Sequence, residues 1–222
     1  MKINNSLFLG SLLMLATALT STATLIDFDS VNAQAAPNGL VDATGYLASY
    51  GITLSNITGG GQVDITYDNG GSNVAASSGH NFLEQRVSPN LAQSFTMNFS
   101  TPLSSLSFDY IRQVTSNLIA QWSATAYAGA TNVGSVGEPE TSVFGGRAAQ
   151  NYVLTAGATS GITSLVIYGN GYGNAGNYSL QMDNLTLNPV PEPGTALFGV
   201  ACVGVAALRR RRRPAVAATF TA

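Results

Sequence analysis

Three aspartates, Asp27, Asp29 and Asp183, are the side chains of this sequence best suited to hold a metal ion. Asp27 and Asp29 lie two apart in Leu25-Ile26-Asp27-Phe28-Asp29. In a regular strand such residues share a face. Asp183 lies far along the chain, at a break in an apolar rhythm. Ca²⁺ takes about six to eight oxygen ligands, carboxylates and carbonyls among them. If the first and last strands are neighbours, the three carboxylates converge. Without a cation they would repel and raise one another's pKa values, so a structural Ca²⁺ is the one candidate cofactor. The alternative is a solvated edge with the three side chains pointing outward.

A second candidate is the run Tyr168-Gly169-Asn170-Gly171-Tyr172-Gly173-Asn174-Ala175-Gly176-Asn177-Tyr178. Aromatic faces stack on sugar rings, and amides bond hydroxyls in both directions. Glycines let a backbone approach a ligand. Tyr168, Tyr172 and Tyr178 are therefore the candidate ligand residues. The competing reading is a hairpin loop whose tyrosines cover one end of the fold. Trp122, between Gln121 and Ser123, reads as core. Catalytic groupings are poor. Ser77, Ser78 and the single histidine, His80, lie close in sequence, but a triad needs geometry and an orienting acid. Glu138 and Glu140 flank Pro139, whereas glycosidase carboxylates face each other across a cleft. No enzymatic activity is expected.

The elements that must position these residues read as strands. Phe95, Met97 and Phe99 alternate with Ser94, Thr96 and Asn98. After Thr101-Pro102, Leu106, Phe108 and Tyr110 alternate with Ser105, Ser107 and Asp109. Period two makes each run a strand with one apolar face. Further strands are expected at 25–29, 52–54, 63–67, 119–127, 151–155, 162–168 and 178–187. Segments 30–50 and 72–90 read as loops, and no helical window stands out. Between Met182 and Leu185 the apolar step is odd, which predicts a bulge at Asp183-Asn184. Short strands between Gly, Asn, Ser and Pro turns predict an all-β antiparallel sandwich.

The charge is sparse and uneven. Between residues 24 and 188, three arginines (Arg86, Arg112 and Arg147) stand against ten carboxylates, leaving −7, whereas the whole chain carries −2. A lysine-free acidic domain excludes nucleic acid as partner, since that binding rests on basic contacts to phosphate. The one cysteine, Cys202, lies outside the domain, so the domain has no disulfide framework and no thiolate metal site.

Both ends of the chain carry addresses. Lys2 precedes the apolar run Leu7 to Leu19, and Ser21-Thr22-Ala23 offers small residues. Residues 1–23 therefore read as a signal peptide cut by signal peptidase after Ala23. At the other end stand Val190, Pro191, Glu192, Pro193 and Gly194. The prolines fix φ and extend their predecessors, giving a rigid exposed strip. Residues 195–208 are uncharged and short for a membrane span, at about 21 Å as a helix. Arg209, Arg210, Arg211, Arg212 and Arg213 follow as a cytoplasmic stop. The alternative is an anchor that is never cut.

This three-part tail, residues 189–213, resembles the PEP-CTERM sorting signal of Gram-negative bacteria. The resemblance implies recognition by an exosortase, transient membrane insertion through residues 195–208, removal of the helix and transfer of residues 24–188 to the cell surface or matrix. Residues 214–222 depart from the family's pattern, in which the chain ends near the arginines. The strings Ile26-Asp27-Phe28-Asp29 and Asp183-Asn184-Leu185 bracket the domain. They resemble the outer strands of jelly-roll, carbohydrate-binding-module-like ectodomains of this sorting class. The expectation is a non-enzymatic surface protein exported through the inner membrane and associated with exopolysaccharide, flanked by a signal helix and a short transmembrane helix. The alternative is a carbohydrate-binding module acting through 168–178.

Overall fold

Alternating apolar residues need a partner layer, and the chain supplies it by folding one continuous sheet onto itself. The computed structural model describes residues 22–59, 61–68, 76–85, 92–111, 121–138, 149–157, 160–169 and 180–191. In chain order the strands are β1 (Thr24–Ile26), β2 (Leu40–Asp42), β3 (Ile52–Thr58), β4 (Val63–Tyr67), β5 (Asn81–Gln85) and β6 (Gln93–Tyr110). Then come β7 (Trp122–Ala128), β8 (Thr131–Glu138), β9 (Gln150–Thr155), β10 (Ile162–Gly169) and β11 (Leu180–Pro189). One helix, α1 (Ala43–Ser49), lies between β2 and β3. All the strand pairings are antiparallel, and these elements belong to the unit Thr22–Val190.

Strand β6 organises the fold. The two alternating runs expected as separate strands are halves of one strand of 18 residues. Its first half pairs with β3 and β10, and its second half with β11 and β9. Residues 100–102 have no cross-strand partner in these registers, so Pro102 costs no ladder hydrogen bond. Ser100 N–H donates instead to Gly51 O (2.8 Å), and Pro102 O accepts from Val190 N–H (2.9 Å). The strand thus passes from one layer to the other without ending. One layer runs β2-β4-β5-β11-β6-β9, with β1 alongside β11; the other runs β3-β6-β10-β7-β8.

The core lies between the layers. Trp122 of β7 stacks on Tyr110 of β6 with ring centroids 4.1 Å apart, and meets Tyr152 of β9 edge-on at 4.8 Å. Trp122 is 2% exposed, as its mid-strand position predicts. Phe95, Met97, Leu106, Phe108, Leu165 and Leu185 fill the space around it. Each such side chain contributes about 1.5–3 kcal/mol on burial.

Several expectations are corrected. Segment 30–50 is not a plain loop: it holds β2 and α1. Asp42 caps α1, its Oδ1 accepting from Thr44 N–H at 2.7 Å, while Ala43 and Leu47 bury one face. The helix spans two turns and is too short to show a period. Segment 72–90 contains β5, where Phe82 and Leu83 are both buried. Burial on both faces erases the alternation that marks a strand. β8 was absent from the expected series because its Gly- and Ser-rich sequence has no apolar rhythm; the turn at Gly129, with φ +60°, pairs it to β7. β1 ends at Ile26 rather than Asp29, because Phe28 adopts φ +61°. The bulge in β11 is where the odd step placed it: the register shifts between Asp183 and Thr186, and Asn184 has φ +48°.

Among the described residues no helix is long and apolar enough to cross a membrane. The expected span 195–208 and the arginines 209–213 lie outside the described residues, as does the signal segment up to residue 21.

Candidate functional site

The aspartates at the domain's two ends do approach one another, but through hydrogen-bond donors. Asp29 Oδ1 accepts from the backbone N–H groups of His80 (2.8 Å) and Asn81 (3.1 Å). Gly79 permits this approach: it has φ +49°, and a Cβ there would lie 1.7 Å from Asp29 Oδ2. Asp183 is fully buried. Its Oδ2 accepts from Ser78 N–H (2.9 Å) and faces Ser77 Oγ (3.0 Å), and its Oδ1 accepts from Asn184 N–H (2.7 Å). Asp27 instead closes its own turn, accepting from Asp29 N–H at 3.2 Å. Because the turn at Phe28 ends β1, Asp27 and Asp29 do not share a strand face.

The residue missed in this cluster is Asp109. It lies opposite Asp183 in the β6–β11 register. Its carboxylate accepts from Asn184 Nδ2 (2.9 Å) and Asn151 Nδ2 (2.8 Å) and lies 2.9 Å from Ser77 Oγ. Ser77 carries one hydroxyl proton and cannot donate to both carboxylates. A proton on Asp183 resolves the conflict, since Asp183 then donates to Ser77, which donates to Asp109. Burial pushes the Asp183 carboxyl above the usual 3.8, with Asp29's charge adding to it. Burial also acts on Asp109, but the bonds from Asn184, Asn151 and Ser77 outweigh it and hold that group below 3.8.

Among the described residues no group of three or more His, Cys, Asp or Glu side chains is placed to hold a metal ion. The donors filling the Asp183 oxygens fit a carboxylate–hydroxyl network better than a cation. Ser77 and Ser78 are committed to that network, Ser78 Oγ donating to Asn184 Oδ1 at 2.8 Å. His80 packs on Tyr67, ring centroids 5.8 Å apart. Glu138 receives a hydrogen bond from Tyr152 Oη; Glu140 lies outside the described residues.

Tyr168 is 39% exposed near the end of β10. It belongs to a wider surface that strand register defines. On the outside of the β3-β6-β10-β7-β8 layer, Thr58, Ser94, Tyr168, Ser123 and Gly137 form one cross-strand row. Ser55, Thr96, Val166, Thr125 and Ser135 form the next, and Thr53, Asn98, Ser164, Tyr127 and Asn132 the third. The intervening residues, among them Phe95, Met97, Leu165 and Ala124, point inward and are buried. These three rows contain no charged residue. Their hydroxyls and amides bond across strands: Asn98 Nδ2 to Ser55 Oγ (2.8 Å), Thr58 Oγ1 with Ser94 Oγ (2.9 Å), Ser135 Oγ to Thr125 Oγ1 (2.9 Å). Tyr127 and Tyr168 stand four residues apart on neighbouring strands, about 14 Å along them at ~3.4 Å per residue. Tyr172 and Tyr178 lie outside the described residues.

A cleft of about 440 Å³ opens on the other layer, where the turn after β1 meets β4 and β5. Asp29, Asn32, Gln34, Tyr67, His80 and Asn81 line it. Of the sorting motif, Val190 is held by Pro102 and Pro191 is exposed; Glu192, Pro193 and Gly194 lie outside the described residues. Ala23 is exposed ahead of β1.

No protein-family model and no curated protein sequence matches the chain. Solved structures do. The adhesin domain K2 of Lys-gingipain is 11% identical over 75% of this chain and 99% of its own, with a TM-score of 0.47. A Stig cyclase, Fisc, from Fischerella sp. TAU is 12% identical over 76% of this chain and 100% of its own, with a TM-score of 0.44. The module TmCBM61, solved with β-1,4-galactotriose, is 16% identical over 68% of this chain and 97% of its own, with a TM-score of 0.41.

Proposed function

We propose that this chain is an exported, non-enzymatic surface protein whose sandwich binds a neutral polysaccharide. One observation carries the binding reading: three cross-strand rows, all Ser, Thr, Asn and Tyr apart from Val166 and Gly137, form an outer sheet face without a single charge. Exposed sheet faces ordinarily carry charge for solubility. Hydroxyl and amide groups both donate and accept, as sugar hydroxyls do, and tyrosine rings stack on sugar faces. A sheet holds these groups in place before binding, so little ordering entropy is lost. The jelly-roll-like reading of the sandwich belongs to this proposal.

Delivery follows from the tail. The resemblance of residues 189–213 to the PEP-CTERM signal supports exosortase processing and retention in exopolysaccharide. Val190 N–H is hydrogen-bonded to Pro102 O, and Pro191-Glu192-Pro193 follows it directly in sequence. The test of binding is affinity electrophoresis through gels cast with neutral polysaccharides. Tyr168→Ala and Tyr127→Ala are expected to weaken the retardation about tenfold each, in line with ~1–1.5 kcal/mol per aromatic stack. Retardation unchanged in the double variant, or absent with every glucan, galactan and mannan, overturns the reading.

A further inference from the structure

The cleft between the turn after β1 and the start of β5 differs in chemistry from the charge-free sheet face. Its lining presents acceptors. Asn81 is 4% exposed, and its Nδ2 donates to Phe28 O (3.0 Å) and Val31 O (2.8 Å), which fixes the amide's orientation. Its Oδ1 has no hydrogen-bond partner. An orphaned, buried acceptor costs free energy unless a donor arrives. Beside it, Asp29 is exposed and uses Oδ1 for two backbone N–H groups. One wall is aromatic, with Tyr67 and His80 tilted 44° to one another. The cleft's lining contains no Lys or Arg, and the domain around it carries −7.

A ligand matching this lining brings donors without acceptors at one end, a positive charge, and a ring to lie on tyrosine. An ammonium has three donors and no acceptor. It gains from both a carboxylate and an aromatic face, and an acidic domain steers it inward. The volume suits a saccharide ring, ligand clefts being commonly about 300–1,000 Å³. We propose that this cleft binds a hexosamine unit bearing a free amine, as in a deacetylated polysaccharide. The ammonium meets the exposed Asp29 carboxylate while the ring lies on Tyr67. The inference rests on the glycan-binding reading above but uses a different surface, so the molecule engages neutral and cationic sugars on separate faces.

The test is isothermal titration of the full-length chain with three tetrasaccharides at fixed ionic strength: β-1,4-linked glucosamine, its fully N-acetylated form, and the glucose equivalent. The glucosamine oligomer is expected to bind about tenfold or more tighter than the other two. Asp29→Asn is expected to remove that preference. Because Asp29 also holds the 79–81 backbone, Gln34→Arg serves as a second variant. Gln34 is exposed, and an arginine there sets a like charge in the cleft, so about a tenfold loss for glucosamine alone is expected. Tyr67→Ala is expected to weaken it similarly. Equal affinity for the three oligomers overturns the inference. So does glucosamine binding unchanged in both Gln34→Arg and Tyr67→Ala, the mark of general adhesion to an acidic surface. Retardation by neutral polysaccharide in Gln34→Arg separates the two readings: if it persists while glucosamine binding falls, both stand, and if it was never present, only the sheet-face reading fails.

Discussion

At the scale of single residues, the best-defined chemistry is one proton among Asp183, Ser77 and Asp109. The Asp183 carboxyl is raised by burial, so the folded chain holds its proton more tightly than the unfolded chain. That contribution is complete below 3.8 and is lost as pH rises through the raised folded value. Asp109 is held low by its donors, so its contribution is complete above 3.8 and is lost as pH falls through the lowered value. The pair is therefore most stabilising in a mildly acidic window just above 3.8, with Asp109 charged and Asp183 neutral. Asp29 is the other charge acting on Asp183. Urea midpoints measured against pH are expected to show both limbs. Asp109→Asn is expected to flatten the acid limb and Asp183→Asn the alkaline one. Ser77→Ala is expected to cost about 1–3 kcal/mol, because it strands the two carboxyls without their shared hydroxyl. A Ser77→Ala midpoint equal to wild type contradicts the arrangement.

At the scale of elements, the bulge in β11 and the turn after β1 are what bring the chain's ends together. Asn184 at φ +48° turns its N–H onto Asp183 and its amide onto Asp109 and Ser77. Asparagine tolerates that left-handed conformation better than most residues. The segment 77–81 is thus tied to β1's turn through Asp29 and to β11 through Asp183. Calcium binding by Asp27, Asp29 and Asp183 would require turning the Ser78 and Asn184 N–H groups away from Asp183. Equal melting temperatures of the full-length chain in EDTA and in CaCl₂ are accordingly expected. A rise in CaCl₂ that disappears in Asp183→Ala would instead support calcium at these aspartates.

At the scale of the whole molecule, the proposed function rests on a charge-free sheet face, an acidic cleft and a tail that resembles a sorting signal. The −7 domain repels other acidic surfaces and favours cationic or neutral partners. If the tail acts as its resemblance implies, the mature protein ends near Pro191-Glu192-Pro193. Mass spectrometry of surface fractions is expected to find a chain beginning at Thr24 and lacking Arg209 to Arg213. Recovery of those arginines on the surface protein would leave the ordinary uncut anchor.

Local pattern was enough for much of this. Period-two alternation in 94–99 and 105–110 marks strands because a pleated backbone sends successive side chains to opposite faces. The odd step between Met182 and Leu185 marks the bulge for the same reason. Trp122's burial and the approach of Asp29 to the Asp183 region were also legible, the latter from the bracketing strings. Tertiary structure decided the rest, because cross-strand pairing joins residues far apart in sequence. Nothing near Asp109 signals that Asp183 lies opposite it, and nothing near Tyr127 signals that it shares a face with Tyr168 and the Ser/Thr rows. β5 was hidden because burial on both faces removes alternation, and α1 because two turns are too few to show a period. Asn81 completes a cleft only once Phe28, at φ +61°, turns the chain back over β5.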